Sequence, residues 1–274
     1  MKSLKLALNR RQWMLTILVI LVILVVFVWS KANFTGKNRI ISTVSVEVLS
    51  DSTSLFLNQE EVIDFVKRKV DEPIGKSASE ISLTKIEVAL LQLPYVEKVT
   101  AYIGFDGELK IKINQRKPIM AVQNVQGTLF YIDSAGYQMP AKDGVQPNVI
   151  IATGEIRSAA TPGKVSALPI MSDLKALGNY LNTHPFWDAQ FEQCYVDKNL
   201  GILLIPRIGK HSIVLDNATN MDQKFENLRL FYKKGLQEIG WNRYSQIDIS
   251  IPNQVIGRLS VAETEHTKTK PVHK

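Results

Sequence analysis

The sequence predicts an α+β fold in two units behind an N-terminal single transmembrane helix, and three observations carry that prediction. Residues 13–29 run seventeen positions without a charge, Gly or Pro. Residues 40–115 read strand, helix, helix, strand, strand. Residues 116–260 then read as a mixed, β-rich stretch holding two helices. A length of 274 residues suits about two domains of ordinary size. The single cysteine, Cys194, excludes a disulfide scaffold and a multi-cysteine zinc site.

The apolar run comes first. At 1.5 Å per residue it covers roughly 25 Å, a little under a ~30 Å hydrocarbon core, and flanking bases can snorkel. Trp13 and Trp29 close its two ends, where indoles favour the headgroup region. It exceeds the apolar region of an ordinary cleaved signal, so an uncleaved anchor is expected. Lys2, Lys5, Arg10 and Arg11 place the 1–12 end in the cytoplasm and the bulk of the chain outside. These four and Lys31 also account for most of the +7 net charge. Without these five, 28 bases face 26 acids, so no nucleic-acid partner is expected.

Residues 41–49 alternate as a one-sided strand does, with Val44, Val46 and Val48 on one face. Asn58, followed three places later by Glu61, is a capping-box pattern opening a helix. Val62, Ile63, Phe65, Val66 and Val70 form its apolar stripe, and Pro73 stops it. A second helix follows Ser82 through Leu83, Ile86 and Leu90, ending at Pro94. Strands over 96–104 and 108–114 meet at Phe105-Asp106-Gly107, where Gly takes the positive φ of a turn.

In the second unit, strands are predicted over 119–125 and 128–132, and Asp133-Ser134-Ala135-Gly136 is turn chemistry. Residues 141–164 read as loop, with Gly144, Pro147, Gly154, Pro162 and Gly163. A helix over 168–181 presents Met171, Leu174, Leu177 and Leu181. Strands follow over 191–196, 201–206 and 212–215. A longer helix then carries Met221, Phe225, Leu228, Tyr232, Leu236 and Ile239. Two strands, 246–251 and 254–259, close the unit around Pro252-Asn253. Residues 261–274 are polar, lack an apolar period and are expected to be disordered.

No catalytic constellation is legible. His211 and Ser212 are neighbours in a strand, so their side chains point to opposite faces. No HExxH, GxSxG, P-loop or GxGxxG pattern is present. Cys194 lies among apolar strand residues and reads as a small buried hydrophobe. A chain exported with no visible chemistry reads as a binding module, not an enzyme.

Several motifs carry a resemblance. Ile86-Glu87, Leu93-Pro94-Tyr95-Val96 and 107–113 are followed by Gln115-Arg116-Lys117-Pro118-Ile119-Met120-Ala121 and Tyr131-Ile132-Asp133-Ser134-Ala135-Gly136-Tyr137. Farther on come Lys224-Phe225-Glu226-Asn227-Leu228 and Ile247-Asp248-Ile249. The first unit resembles a POTRA module, and the whole resembles the FtsQ/DivIB family of bacterial cell-division proteins. Gln115 stands where that family usually has Glu, and Ser250-Ile251 where it often has an Arg-aromatic pair.

The resemblance implies a non-enzymatic divisome scaffold of the inner membrane, without cofactor or metal. Such a scaffold binds the FtsB–FtsL pair on its periplasmic side, contacts other divisome proteins, and links early and late septum-assembly proteins. It implies a partner site on the C-terminal hairpin: Ile249, Ile251, Gln254, Val255, Ile256, Gly257, Arg258 and Leu259. Arg116 and Pro118 are expected at a junction between a POTRA-like domain at 40–115 and a β domain at 116–260. The alternative is a POTRA-containing component of a protein transport or secretion system. Those usually precede an outer-membrane barrel, and 119–260 holds too few ten-residue alternating strands for one.

Overall fold

A computed structural model describes residues 10–37, 39–50, 56–70, 72–236 and 240–260, with side chains of the first helix described over 13–27. The predicted disordered tail, and the N-terminal end before residue 10, lie outside the described residues. The fold is mixed α+β, and its residues cluster into two compact units. One holds 1–48, 58–91 and 98–113; the other holds 49–57, 92–97 and 114–274.

Helix α1 runs Arg10–Lys37, longer than the apolar run inside it. The predicted membrane crossing does not follow from it: among the described residues, no helix is long and apolar enough to cross a membrane. The side chains described, from Trp13 to Phe27, are all exposed.

Strand β1 (Thr43–Leu49), helices α2 (Gln59–Lys69) and α3 (Leu83–Leu90), and strands β2 (Val96–Ile103) and β3 (Glu108–Gln115) follow in the predicted order. The strands form a sheet in the order β1-β3-β2. Both helices are capped by a side chain. Asn58 Oδ1 accepts the Glu61 N–H at 2.7 Å while Glu61 Oε2 accepts the Asn58 N–H at 3.5 Å. Ser82 Oγ accepts the Lys85 N–H at 3.3 Å. Val62, Val66, Ile86 and Leu90 bury the helix stripes, and Leu109, Ile111 and Ile113 the inner face of β3.

The second unit is built on nine strands: β4 (Pro118–Gln123), β5 (Leu129–Asp133), β6 (Gln138–Pro140), β7 (Ile151–Gly154), β8 (Phe191–Asp197), β9 (Gly201–Pro206), β10 (Ser212–Asp216), β11 (Tyr244–Asp248) and β12 (Ile256–Leu259). They lie in the order β12-β11-β10-β9-β8-β7-β4-β5-β6. Pairing is parallel for β4–β7, β7–β8 and β10–β11, and antiparallel elsewhere. Helices α4 (Pro169–Thr183), α5 (Pro185–Gln190) and α6 (Met221–Phe231) bury Leu174, Leu177, Trp187, Phe225 and Leu228 in one core with the sheet.

Three features depart from the sequence reading. Strand β7 occupies a stretch expected as loop, and β6 lies between the expected turn at 133–136 and that loop. Helix α5, six residues led by Pro185, was not anticipated. The last long helix does not continue regularly to Ile239: it ends at Phe231 and widens into a π turn over Tyr232–Leu236. Gly235, the poorest helix former of that stretch, lies inside the turn. Residue 239 lies outside the described residues.

Candidate partner-binding edge

A sheet must end somewhere, and this one ends in two different ways. Strand β6 is covered: Tyr137 bridges to Val165, the Gln138 N–H donates to Lys164 O at 3.0 Å, and the Gly163 N–H donates to Gln138 O at 2.8 Å. Strand β12 pairs with β11, and among the described residues no strand pairs with its outer side. Four residues of edge present roughly 14 Å of main chain. Its outward N–H and C=O groups are a template for an added strand.

Local chemistry fixes where that edge begins. Asp248 ends β11 by folding its carboxylate over the backbone. Its Oδ1 accepts the Ser250 N–H at 2.8 Å and the Ser250 hydroxyl at 2.6 Å. A turn follows in which the Gln254 N–H donates to Ile251 O at 3.3 Å. Pro252 holds its first central position and Asn253 its second, with φ +60°. A positive φ there belongs to a type II turn and not the type I that Pro252 alone suggests. At the far end, Ser245 sits in a register shift of β11 opposite Arg258 and Leu259. Its hydroxyl reaches both carbonyls at 3.3 Å.

Exposure alternates along 254–259. Gln254, Ile256 and Arg258 are exposed, whereas Val255, Gly257 and Leu259 turn inward and Val255 packs on the core. Ile256, 47% exposed, and Ile251 leave apolar surface beside the edge. Gln254 and Val255 precede β12 instead of lying in it, and Ile251 belongs to the turn. One expected contact residue is corrected. Ile249 is 1% exposed, its N–H donates to Val214 O at 3.0 Å, and its side chain belongs to the core. Sequence reasoning missed Tyr244, whose ring lies over Gly257, so that a Cβ at Gly257 would collide with it. The aromatic–Gly pair faces across strands at a register that only the structure supplies.

Arg116 and Pro118 lie near the start of the 114–274 segment of the second unit. Arg116 Nη1 meets Asp133 Oδ2 at 2.7 Å, and its guanidinium lies 4.1 Å from the Tyr137 ring centroid. Gln115 is buried, and its amide oxygen accepts the N–H groups of Phe56 at 2.7 Å and Leu57 at 3.2 Å. Those bonds need an acceptor and no charge, and the Gln115 amide also donates to Ser50 Oγ at 3.3 Å, which a carboxylate could not do.

Other candidate chemistry has structural explanations. His211 is buried, with Nε2 3.1 Å from the Tyr232 hydroxyl, and burial lowers its pKa from the usual 6.5. Cys194 is fully buried, which pushes its thiol up to about 12. Lys224 is buried but spans Leu215 O at 2.9 Å and Asn217 O at 3.0 Å, closing the end of β10. A groove of about 850 Å³ runs between α4, α5 and α6, lined by Tyr180, His184, Trp187, Asp222, Glu226 and Arg229. Burial, with Asp222 and Glu226 beside it, pushes the Tyr180 phenol up to about 12. Among the described residues no three His, Cys, Asp or Glu side chains are grouped to hold a metal.

Comparison with known families agrees with this architecture. Residues 39–114 match the POTRA-like domain model. Residues 117–258 match the model of FtsQ/DivIB, C-terminal related. No curated protein matches the chain. The second match alone covers 142 of the 274 residues, and it ends one residue before the last residue of β12. The chain belongs to the FtsQ/DivIB family, whose role is in cell division.

Proposed function

We propose that this protein is a single-pass, non-enzymatic divisome scaffold that receives a partner strand on β12. Its partner is the FtsB–FtsL pair, and through it the scaffold links early and late septum-assembly proteins. The run at 13–29 anchors it in the inner membrane, with 1–12 cytoplasmic and the POTRA-like and β domains periplasmic. The observation that carries this reading is the contrast, among the described residues, between the two sheet edges: β6 is covered, and no strand pairs with the outer side of β12. Main-chain bonds to an added strand supply affinity. Ile256, Arg258 and Gln254 on the exposed face, with Ile251 at the turn, supply selectivity.

The test compares binding of purified FtsB–FtsL ectodomains to the full chain and to a version ending at Asn253. Circular dichroism and melting establish that both are folded. Binding by the full chain alone is expected; equal binding by both moves the site away from β12. Arg116 and Pro118 are proposed to set the junction between 40–115 and 116–260. Unchanged stability and unchanged partner binding in Arg116→Ala and Pro118→Ala would sink that assignment.

A further inference from the structure

We propose that the turn between β2 and β3, led by Phe105, rests in the headgroup layer of the bilayer beside α1. This inference rests on the reading of α1 as an anchor. Phe105 is 98% exposed, more than any other large apolar side chain among the described residues. Lone exposed apolar residues are ordinary, but this one has company. Ile40 is 63% exposed and Ile74 is 46% exposed.

Backbone bonds stitch the three segments together. The Ser42 N–H donates to Gly107 O at 3.0 Å, Ile41 N–H to Lys76 O at 2.9 Å, Gly75 N–H to Ile41 O at 2.8 Å, and Ala78 N–H to Arg39 O at 2.7 Å. The Arg39 guanidinium lies 5.5 Å from the Phe105 ring centroid and donates to Gly104 O at 2.6 Å. Apolar side chains such as Phe beside Lys or Arg are the mixture that interfacial protein surfaces present to headgroups. The adjacent acid does not oppose this. The Asp106 carboxylate turns back on its own hairpin, accepting the Glu108 N–H at 3.0 Å and meeting Lys110 Nζ at 3.7 Å.

Chain connectivity says what covers the patch. Arg39 follows the last residue of α1, Lys37, by two positions, at most roughly 7 Å of chain. The eight residues after Trp29, up to Lys37, add roughly 12 Å of helix. The patch is therefore tethered within about 20 Å of the hydrocarbon edge, and headgroups fill the first ~5–8 Å. A lean of the tethered unit brings the ring down to them.

The test uses the full chain in vesicles of phosphatidylcholine and of phosphatidylcholine with phosphatidylglycerol at about 3:1. A nitrobenzoxadiazole dye is attached at Phe105→Cys, with Asn199→Cys, on an exposed turn of the other unit, as reference. Buried Cys194 does not compete for the label. Lipids spin-labelled near the headgroup are expected to quench the dye at 105 at least threefold more than at 199. A dye at Ile74→Cys, with Phe105 intact, is expected to be quenched too, and adding Phe105→Ser to cut that quenching at least twofold. Equal quenching at 105 and 199, or at Ile74→Cys with and without Phe105, in protein that resists alkaline extraction overturns the proposal and leaves the anchor standing. Release of the chain by alkaline extraction overturns the anchor reading, and the proposal with it.

Discussion

Asp133 shows how one side chain fixes a corner of the sheet. Its Oδ1 accepts the Ala135 N–H at 3.0 Å and the Tyr137 N–H at 2.8 Å, while Oδ2 meets Arg116. Gly136, at φ +88°, supplies the left-handed step that this turn needs. The Asp-x-x-Gly spacing visible in the sequence is therefore one hydrogen-bonded turn with its cation attached. Removing the carboxylate strands a largely buried guanidinium. Asp133→Ala is expected to cost about 3–5 kcal/mol, and Asp133→Asn, which keeps the turn acceptor, clearly less; urea denaturation separates the two. His211 makes a second prediction. Its folded pKa lies below the unfolded 6.5 because burial disfavours the cation. The unfolded chain then binds the proton more readily, so stability is full above pH 6.5 and falls as pH drops below it. Melting curves from pH 7.5 to 5 should show that slope in the native protein and a shallower one in His211→Leu. An identical slope would assign the effect to other groups.

At the scale of elements, what was legible in the sequence depended on whether an element is specified locally. The caps of α2 and α3, the stripe of α4 and the alternation of β3, β8 and β12 are all written within ten or so consecutive residues. Strand β7 is not. Ile151-Ala152-Thr153-Gly154 is too short to show a period, and it is a strand because β4 and β8 flank it in parallel. Gly154 read as a loop residue for the same reason. At φ +100°, a Cβ there would run into the backbone of Val196 across the ladder. Gly154→Ala is expected to destabilise the unit by about 2 kcal/mol or more, measurable as a lowered urea midpoint. The candidate edge was half legible. The period of two in 254–259 is visible in the sequence, but it does not say where β11 stops. That limit is set by the Asp248 side chain, and a strand drawn to 251 therefore counts Ile249 among the contact residues. Gly257 gives the edge its own test. Gly257→Val displaces the Tyr244 ring and is expected to weaken partner binding at least tenfold while far-ultraviolet circular dichroism is kept. Unchanged affinity would mean that the partner does not read this strand.

At the scale of the whole molecule, sequence motifs and packing divide the chain at different places. The motifs break near residue 115, but residues 49–57 and 92–97 cluster with the second unit. The reason is a set of rings. Phe56 is fully buried, stacks on Tyr95 at 5.1 Å between centroids, and meets Tyr131 edge-on at 5.5 Å. Lys142 Nζ donates to Phe56 O at 2.7 Å, and the Tyr95 hydroxyl donates to Pro140 O at 3.3 Å. With Ala121 and Met139 these rings make a small core separate from the one under the helices. No periodicity announces it, because Phe56 and Tyr95 lie between regular elements. A fragment of 116–260 therefore lacks two of the rings that cover Tyr131 and Met139. Truncating Phe56 to Ala removes the largest of these contacts and is expected to cost about 3–5 kcal/mol. The fragment should melt below the full chain's second transition and bind a dye for exposed apolar surface. Phe56→Ala in the full chain should lower that same transition. A fragment as stable as the intact unit, together with a harmless Phe56→Ala, would return the boundary to residue 115 and make the ring cluster incidental.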